Sequence, residues 1–356
     1  MLERAIIIEY EHDMAADDLL HDATGNNDVK LRAKLDDAVA FFYWLQVIAR
    51  WDKSYAHNEK LLDYYQQTIT TENESVLNAI RAILHQQASP YGLLAQLYSG
   101  NAQSHDAQKI VKISKPLHSQ FEFLWNENQA LLAQWQHYIN QFSCHNVEYT
   151  LRRLAIFLGL SEDNVRDVKI FLLLPSLRPL GAAGHTIRNT DFILLRPPRD
   201  LGKATKQGTM VTIFHEYTHL LAHASQSFAD SAKASYQTNI APRKIRPPTG
   251  YNWRAVYNEL FAYTVASRTI GGLLGLELLG DTRPSFDELE ASFNKLRAKG
   301  HPSPNQYINW ASLHMVPILR QYLQDKRLID RELFDAVIGL TVDEGWSGQV
   351  QNQIER

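Results

Sequence analysis

Apolar residues recur at intervals of three and four along most of the chain between about residue 33 and residue 160. This spacing places apolar side chains on one face of a helix and predicts a helical N-terminal region. Before it, the β-branched segment AIIIEYE at residues 5–11 predicts a strand. The predicted helices are AKLDDAVAFFYWLQVIARW, NESVLNAIRAILHQQ, SQFEFLWNENQALLAQWQHYINQF and VEYTLRRLAIFLGL.

The pattern changes at residues 168–175, VKIFLLLP, where a short apolar run ends at a proline and predicts a buried strand. SLRPLGAAG at residues 176–184 predicts a loop, and HTIRNTDFILLRPP at residues 185–198 predicts one or two further strands. A polar connection at residues 199–208, RDLGKATKQG, should lead into the next helix.

The remainder of the chain is predicted to be helical, apart from a proline-rich surface loop at residues 239–253. Ser285 and Glu288 have the spacing of a helix capping box. The predicted helices cover residues 210–225, 255–274, 285–300 and 303–326. Strands followed by helices predict an α+β fold, mostly helical, with a small mixed sheet preceding the helix at 210–225. We divide the chain into regions 1–160 and 161–356, with a single domain as the alternative.

Composition narrows the class of protein. With 356 residues, 45% hydrophobic and 21% charged, the chain is typical of a globular protein. A net charge of -3 gives no reason to expect nucleic acid or an anionic membrane as a partner. The single cysteine, Cys144, excludes cysteine-based zinc sites. The N-terminus lacks the apolar region of a signal peptide and no segment is apolar enough to span a bilayer, so we expect a cytoplasmic protein.

Candidate chemistry is concentrated in TMVTIFHEYTHLLAHASQ, residues 209–226. On a helix, His215 and His219 project from one face about one turn apart, and both imidazoles can reach one point. Glu216 lies beside that point. This is the geometry of an H-E-x-x-H zinc helix, in which two histidines bind the metal and the glutamate activates water. The alternative is a solvated helix face with polar pairs, which such an apolar segment disfavours.

A catalytic zinc site needs a third protein ligand. The metzincin pattern is excluded, because Ala222 and Ser225 occupy its required glycine and histidine positions. His223 is one more turn along the helix, about 6 Å further up the axis, where it cannot easily share one small ion.

Glu259 is the best candidate for the third ligand. It lies in the apolar helix AVYNELFAYTVAS, where an unpaired buried carboxylate would be costly and a metal would explain its presence. The alternatives are a surface position or an ion pair with Arg254 or Arg268. The remaining glutamates have more polar or glycine-rich surroundings and are weaker choices: Glu277, Glu288 and Glu290.

The HEYTH helix and the later NELFA segment resemble the gluzincin group of zinc metallopeptidases, the thermolysin-like kind, over about residues 165–270. The resemblance implies that His215, His219 and Glu259 bind Zn²⁺ and that Glu216 is the general base. The chain departs from the pattern in two places. His219 and Glu259 are 40 residues apart, and Tyr263 stands where an aspartate often orients a zinc-bound histidine.

The predicted function is zinc-dependent hydrolysis of peptide bonds in a peptide or protein substrate. The donor that stabilises the oxyanion is left open among Tyr263, Tyr307, His301 and His314, with Tyr263 the first choice. A substrate would add as a strand to the sheet edge supplied by residues 184–195. The alternatives are a catalytically idle zincin-like regulator or binding module and a helical interaction protein without metal. The oligomeric state is not predicted.

Overall fold

The computed structural model describes residues 29–49, 73–86, 93, 96–98, 102–175, 181–187, 190–245, 252–280, 285–299 and 303–343. The strand predicted at residues 5–11 lies outside the described residues. The described chain forms two compact units that alternate along the sequence: unit 1 comprises residues 31–142 and 168–201, and unit 2 comprises residues 29–30, 143–167 and those from 202 onward. A domain boundary near residue 160 stays a prediction.

The described part of unit 1 contains a mixed sheet of four strands and several helices. Its elements are β1 Leu31–Lys34, α1 Asp37–Ile48, α2 Glu74–His85, α3 His105–Ile113, α4 His118–Asn140, β2 Val168–Leu172, β3 Gly181–Ile187 and β4 Thr190–Arg196. The strand order is β1-β2-β4-β3. The first three strands in this order are parallel, with Leu31 opposite Val168 and Lys169 opposite Phe192. The edge strand β3 is antiparallel to β4.

Two strand predictions were wrong in detail. Helical structure was expected from about residue 33, but Leu31–Lys34 is a strand and α1 begins only at Asp37. Along β1 burial alternates between successive residues, which is the two-residue period of a strand rather than a helical pattern. The loop expected up to residue 184 ends earlier, because Gly181 already pairs with Arg196 in the sheet.

The core of unit 1 is aromatic on its helical side. The ring of Phe121 lies 5.3 Å from Phe41, 5.8 Å from Trp44 and 5.7 Å from Trp125, so α1 and α4 are joined by aromatic contacts. The side chain of Asn140 in α4 accepts a hydrogen bond from the β1 backbone. The helix α4 therefore packs directly against the sheet of unit 1.

Unit 2 is helical throughout its described elements. They are α5 His145–Phe157, α6 Lys203–Ala224, α7 Gln226–Ser235, a π-helical turn at Tyr236–Ile240, α8 Trp253–Val265, α9 Gly275–Leu279, α10 Phe286–Ala298, α11 Pro304–Gln324 and α12 Arg331–Asp343. Phe261 of α8 is fully buried and contacts Phe157 and Phe228, which makes α8 a central helix. The capping box of Ser285 and Glu288 is confirmed.

Two helix boundaries in unit 2 differ from the prediction. The polar connection expected at residues 199–208 is helical from Lys203. The prediction missed this start because the first turn of α6 is largely exposed and lacks the apolar positions that reveal a helix. The helix expected at residues 255–274 ends at Val265, and a turn follows it. The fold class is confirmed as mostly helical α+β with a small mixed sheet. Among the described residues, no helix combines the length and apolar character needed to cross a bilayer.

Candidate metal centre

Both predicted imidazoles project from α6. Their positions are four residues apart, about one helical turn, so the side chains of His215 and His219 emerge from the same face. The two ring centroids are 4.8 Å apart and the rings are nearly perpendicular. From Gly208 to Ala222 every residue is buried except Thr212 and His215, which are half-buried. The burial does not fit the alternative of a solvated helix face.

The predicted third ligand projects from α8. This helix begins after Asn252, whose side chain accepts a hydrogen bond from the backbone of Ala255, and every position of the helix but its second is buried. Glu259 is only 3% exposed. Its Oε2 atom lies 3.6 Å from Nε2 of His215 and 3.9 Å from Nε2 of His219. The two imidazoles are therefore partners of a carboxylate that would otherwise be costly to bury.

The three side chains fit the requirements of a small divalent cation. One nitrogen of each imidazole and one oxygen of Glu259 lie within 4.8 Å of one another. With metal–ligand distances of ~2.1 Å, neighbouring ligands in a tetrahedral site are ~3.4 Å apart. The separations of 3.6 and 3.9 Å from the carboxylate oxygen are a few tenths of an ångström longer. The structure confirms that His215, His219 and Glu259 form a buried group that could hold a metal ion.

The electrostatics of this group suit a cation. Burial lowers the pKa of His219 to about 4, despite the nearby Glu259 carboxylate, so this imidazole is neutral near pH 7 as a metal ligand must be. Burial also acts to lower the pKa of His215. The hydrogen bond to Glu259 and the charges of Glu216 and Glu259 outweigh it, so the pKa of His215 is raised. Metal binding requires a free ring nitrogen on each imidazole, so a cation held by this group would compete with a proton for Nε2 of His215.

A backbone carbonyl orients the first histidine. Nδ1 of His215 donates a hydrogen bond to the carbonyl oxygen of Ala266 at 3.2 Å. A carbonyl can only accept, so this contact places the proton on Nδ1, while Nε2 is the ring nitrogen nearest Glu259. Metal-binding histidines generally make such a bond with their second nitrogen. The carbonyl thus orients the ring, a role for which the resemblance implies a carboxylate at the position of Tyr263.

The turn after α8 holds that carbonyl in place. Ala266 leaves the helix in an extended conformation, with φ -142° and ψ 110°. Gly272 has φ +72°, and a Cβ there would lie 2.7 Å from the Thr264 carbonyl oxygen, so a glycine is needed for the chain to fold back onto the helix end. The Leu273 N–H donates to the Thr264 carbonyl at 2.8 Å. The backbone of this turn thus fixes the Ala266 carbonyl relative to the C-terminal end of α8.

Both predicted catalytic side chains lie beside His215. Tyr263 is one turn beyond Glu259 in α8, and its ring meets the His215 ring edge-on at a centroid distance of 4.6 Å. Glu216 is 8% exposed, and its charge is near enough to raise the pKa of His215. Their chemical roles stay predictions.

The other candidate donors have different surroundings. His301 lies outside the described residues. Tyr307 is fully buried in α11. Nε2 of His314 lies 3.0 Å from Oε2 of Glu290, and the His314 ring packs edge-on against Trp310 at 4.8 Å. Trp310 also donates to Glu290 at 3.3 Å, so His314 belongs to a polar network that joins α10 to α11.

His223 is not one of the three converging donors. Its ring stacks against His219 at a centroid distance of 6.3 Å, one turn further along α6. The Asn258 side-chain amide donates to its Nε2 at 3.0 Å. Asn258 directly precedes Glu259, so this contact ties the C-terminal end of α6 to the α8 segment that carries the carboxylate.

A scan against protein-family models, a search of curated proteins and a search of solved structures each found no match. The site is therefore interpreted from its own chemistry. Sequence reasoning missed two groups of the turn that follows α8. The Ala266 carbonyl carries no side-chain signal, and Arg268, considered only as an alternative ion-pair partner of Glu259, packs against Gly208 of α6.

Proposed function

We propose that this chain is a zinc-dependent peptidase of zincin-like fold, with His215, His219 and Glu259 as metal ligands and Glu216 as general base. The observation that carries the proposal is the convergence of two imidazole nitrogens and one carboxylate oxygen in a buried part of unit 2. The next residue after the first histidine is a second glutamate, which fits a hydrolytic site better than a purely structural one.

The donor set supports zinc but also fits ferrous iron. Two histidines and one carboxylate are used by zinc peptidases and by non-haem iron oxygenases. Two features favour zinc. Both histidines lie four apart on one helix, and Glu216 lies between them on the chain with its charge close to His215. Metal analysis distinguishes the two ions directly.

When bound, zinc supplies a Lewis acid that polarises the scissile carbonyl and acidifies the attacking water. Glu216 accepts a proton from that water while the water oxygen forms a bond to the carbonyl carbon. The C–N bond then breaks, and Glu216 delivers the proton to the leaving amine. The Ala266 carbonyl would keep the His215 proton on Nδ1 and leave Nε2 available to the metal.

Tyr263 is the proposed oxyanion donor. Its position one turn beyond Glu259 and its edge contact with His215 keep its ring next to the reacting centre. A hydroxyl that donates to the developing oxyanion stabilises the transition state more than the substrate, which is the requirement for catalysis.

The proposal is tested with protein purified without a nickel column. We expect one zinc per chain by inductively coupled plasma mass spectrometry and cleavage of some members of a peptide library. Glu216→Gln should keep the zinc and lose cleavage. A zinc-loaded wild type that cleaves no peptide would favour the idle regulator or binding module. A wild type that binds no zinc, with His215 and His219 intact, would remove the basis of the proposal.

A further inference from the structure

Arg268 lies flat against α6 at a glycine. A Cβ built on Gly208 would be 2.4 Å from Nε, 2.5 Å from Nη2 and 2.6 Å from Cζ of Arg268. Real Cβ atoms do not approach other atoms so closely. The guanidinium group can occupy this position only because residue 208 has no side chain.

Gly208, on which the guanidinium packs, lies on the same face of α6 as both histidines. Gly208 is seven residues before His215 and eleven before His219. At about 100° per residue, these separations bring position 208 within ~20° of each histidine around the helix axis. Gly208 is roughly 10 Å from His215 along the axis, and the side chain of His215 leans toward the N-terminus, in the direction of Gly208.

The backbone at Arg268 is held on both sides. The Ser267 hydroxyl oxygen accepts hydrogen bonds from the N–H groups of Thr269 and Ile270, and the hydroxyl donates to Asn309 of α11. This is the same turn in which Ala266 orients His215. A positive charge that never titrates is thus fixed to the segment that shapes the candidate metal centre.

We propose that Arg268 binds a carboxylate of the substrate and thereby sets substrate class; this inference rests on the proposed peptidase function. A guanidinium group matches a carboxylate with two parallel hydrogen bonds. An extended peptide advances ~3.5 Å per residue, so a carboxylate at this distance belongs to a residue one to three positions beyond the cleaved bond. A free C-terminus and an acidic side chain both supply this carboxylate chemistry, and matched peptide substrates distinguish the two sources.

Three peptides that differ only at their C-terminal end test the source of the carboxylate. They are a free C-terminal acid, its C-terminal amide, and the amide with glutamate as the last residue. We expect wild type to cleave the free acid with a kcat/KM ~10- to 100-fold above the plain amide, the range for hydrogen bonds to a charged group. Arg268→Gln should remove this preference by lowering kcat/KM for the free acid to the value for the plain amide. Wild-type preference for the glutamate peptide over the plain amide, with the free acid cleaved no better than that amide, would identify an acidic side chain as the source.

Gly208→Ala supplies a second, independent perturbation. The added methyl displaces the guanidinium, a flexible side-chain end, without removing it, so this variant should fold and also lose the preference for the free acid. In the Arg268→Gln background the same alanine should have no further effect. Arg254→Gln, which changes an exposed arginine of α8, is the matched control and should keep the preference.

Binding is measured separately from turnover. Fluorescence anisotropy with zinc-loaded Glu216→Gln should show tighter binding of the free acid than of the amide, and the difference should vanish when Arg268→Gln is added. Equal cleavage and equal binding of acid and amide by wild type would overturn the role of Arg268 alone. Absence of cleavage of every peptide by zinc-loaded wild type would instead overturn the proposed function.

Discussion

Replacing Glu259 with glutamine removes the charge of one proposed metal ligand and changes little else in the buried site. The amide has nearly the volume of the carboxylate, so the packing of α8 is preserved. It is neutral, however, and attracts a cation far less than a carboxylate 3.6 and 3.9 Å from the two imidazole nitrogens. We expect Glu259→Gln to fold without metal as wild type does and to lose tight zinc binding.

The size of the effect follows from the role of the group. Residues that merely hydrogen-bond a ligand change metal affinity ~10- to 100-fold, so losing a charged ligand should cost at least ~100-fold. At zinc equal to 100 times the wild-type Kd, binding stabilises the protein by ~2.7 kcal/mol. For a folding unit of roughly 200 residues this raises Tm by about 5 to 10 °C. A 100-fold weaker site retains only ~0.4 kcal/mol at the same zinc concentration, about 1 °C.

Thermal unfolding followed by fluorimetry, with and without zinc, measures this difference, and mass spectrometry gives the stoichiometry. Glu290→Gln is the matched control. It removes the carboxylate of another His–Glu pair in unit 2, 3.0 Å from His314, which belongs to no converging group of three donors in the described chain. It should keep the zinc-dependent rise. One tightly bound zinc and an unchanged rise in Glu259→Gln would refute the ligand assignment.

Three further predictions concern catalysis and stability. Glu216→Gln should lower kcat for peptide hydrolysis ~10²- to 10⁴-fold with unchanged zinc content, because it removes the proton acceptor. Tyr263→Phe should keep the zinc and the ring contact with His215 but lower kcat ~10²-fold through loss of an oxyanion donor, measured by steady-state kinetics. Burial raises the pKa of Asp330, but hydrogen bonds from Tyr322 and Arg327 outweigh it and lower the pKa below its usual value. Asp330→Asn should therefore reduce the free energy of unfolding at pH 7, and the difference from wild type should shrink as the pH falls below the ordinary Asp pKa of ~3.9 toward the lower pKa of Asp330 in the folded protein.

Each of these predictions has an outcome that contradicts it. Cleavage by Glu216→Gln at the wild-type rate would mean that another group accepts the proton. Equal kcat for Tyr263→Phe and wild type would leave the Tyr263 ring with a packing role only. Urea unfolding of Asp330→Asn that differs from wild type by the same amount at pH 7 and pH 3 would show that the Asp330 charge does not stabilise the fold.

The convergence of His215, His219 and Glu259 could be predicted from sequence because helical geometry decides most of it. Two histidines four residues apart on any helix share a face, and a lone glutamate in an apolar helix requires a partner. The carbonyl of Ala266 could not be predicted, since its position depends on the extended backbone after α8. The periodicity of residues 255–274 hides that turn, and only Gly271 and Gly272 hint at it.

The strands show a similar division. β2 and β4 could be predicted because each is a run of apolar residues bounded by polar ones or prolines. β1 is only four residues long and directly precedes a strongly helical pattern, so its pairing with β2 is visible only in three dimensions. The start of β3 at Gly181 was missed because glycine and alanine carry little strand propensity.

The 40-residue separation between His219 and Glu259 is filled by α7, a π-helical turn and the proline-containing connection to α8. Doubling the length of a flexible connection costs only ~0.6 kcal/mol, whereas moving a ligand by one helical position turns it ~100° away from the ion. Insertions in the connection that ends at Asn252 should therefore be tolerated. Insertion of one residue inside α8, before Glu259, should not be. The sequence separation of a third ligand from the first two is thus a poor guide to its position in the site. The packing of the helix that carries it is a better guide.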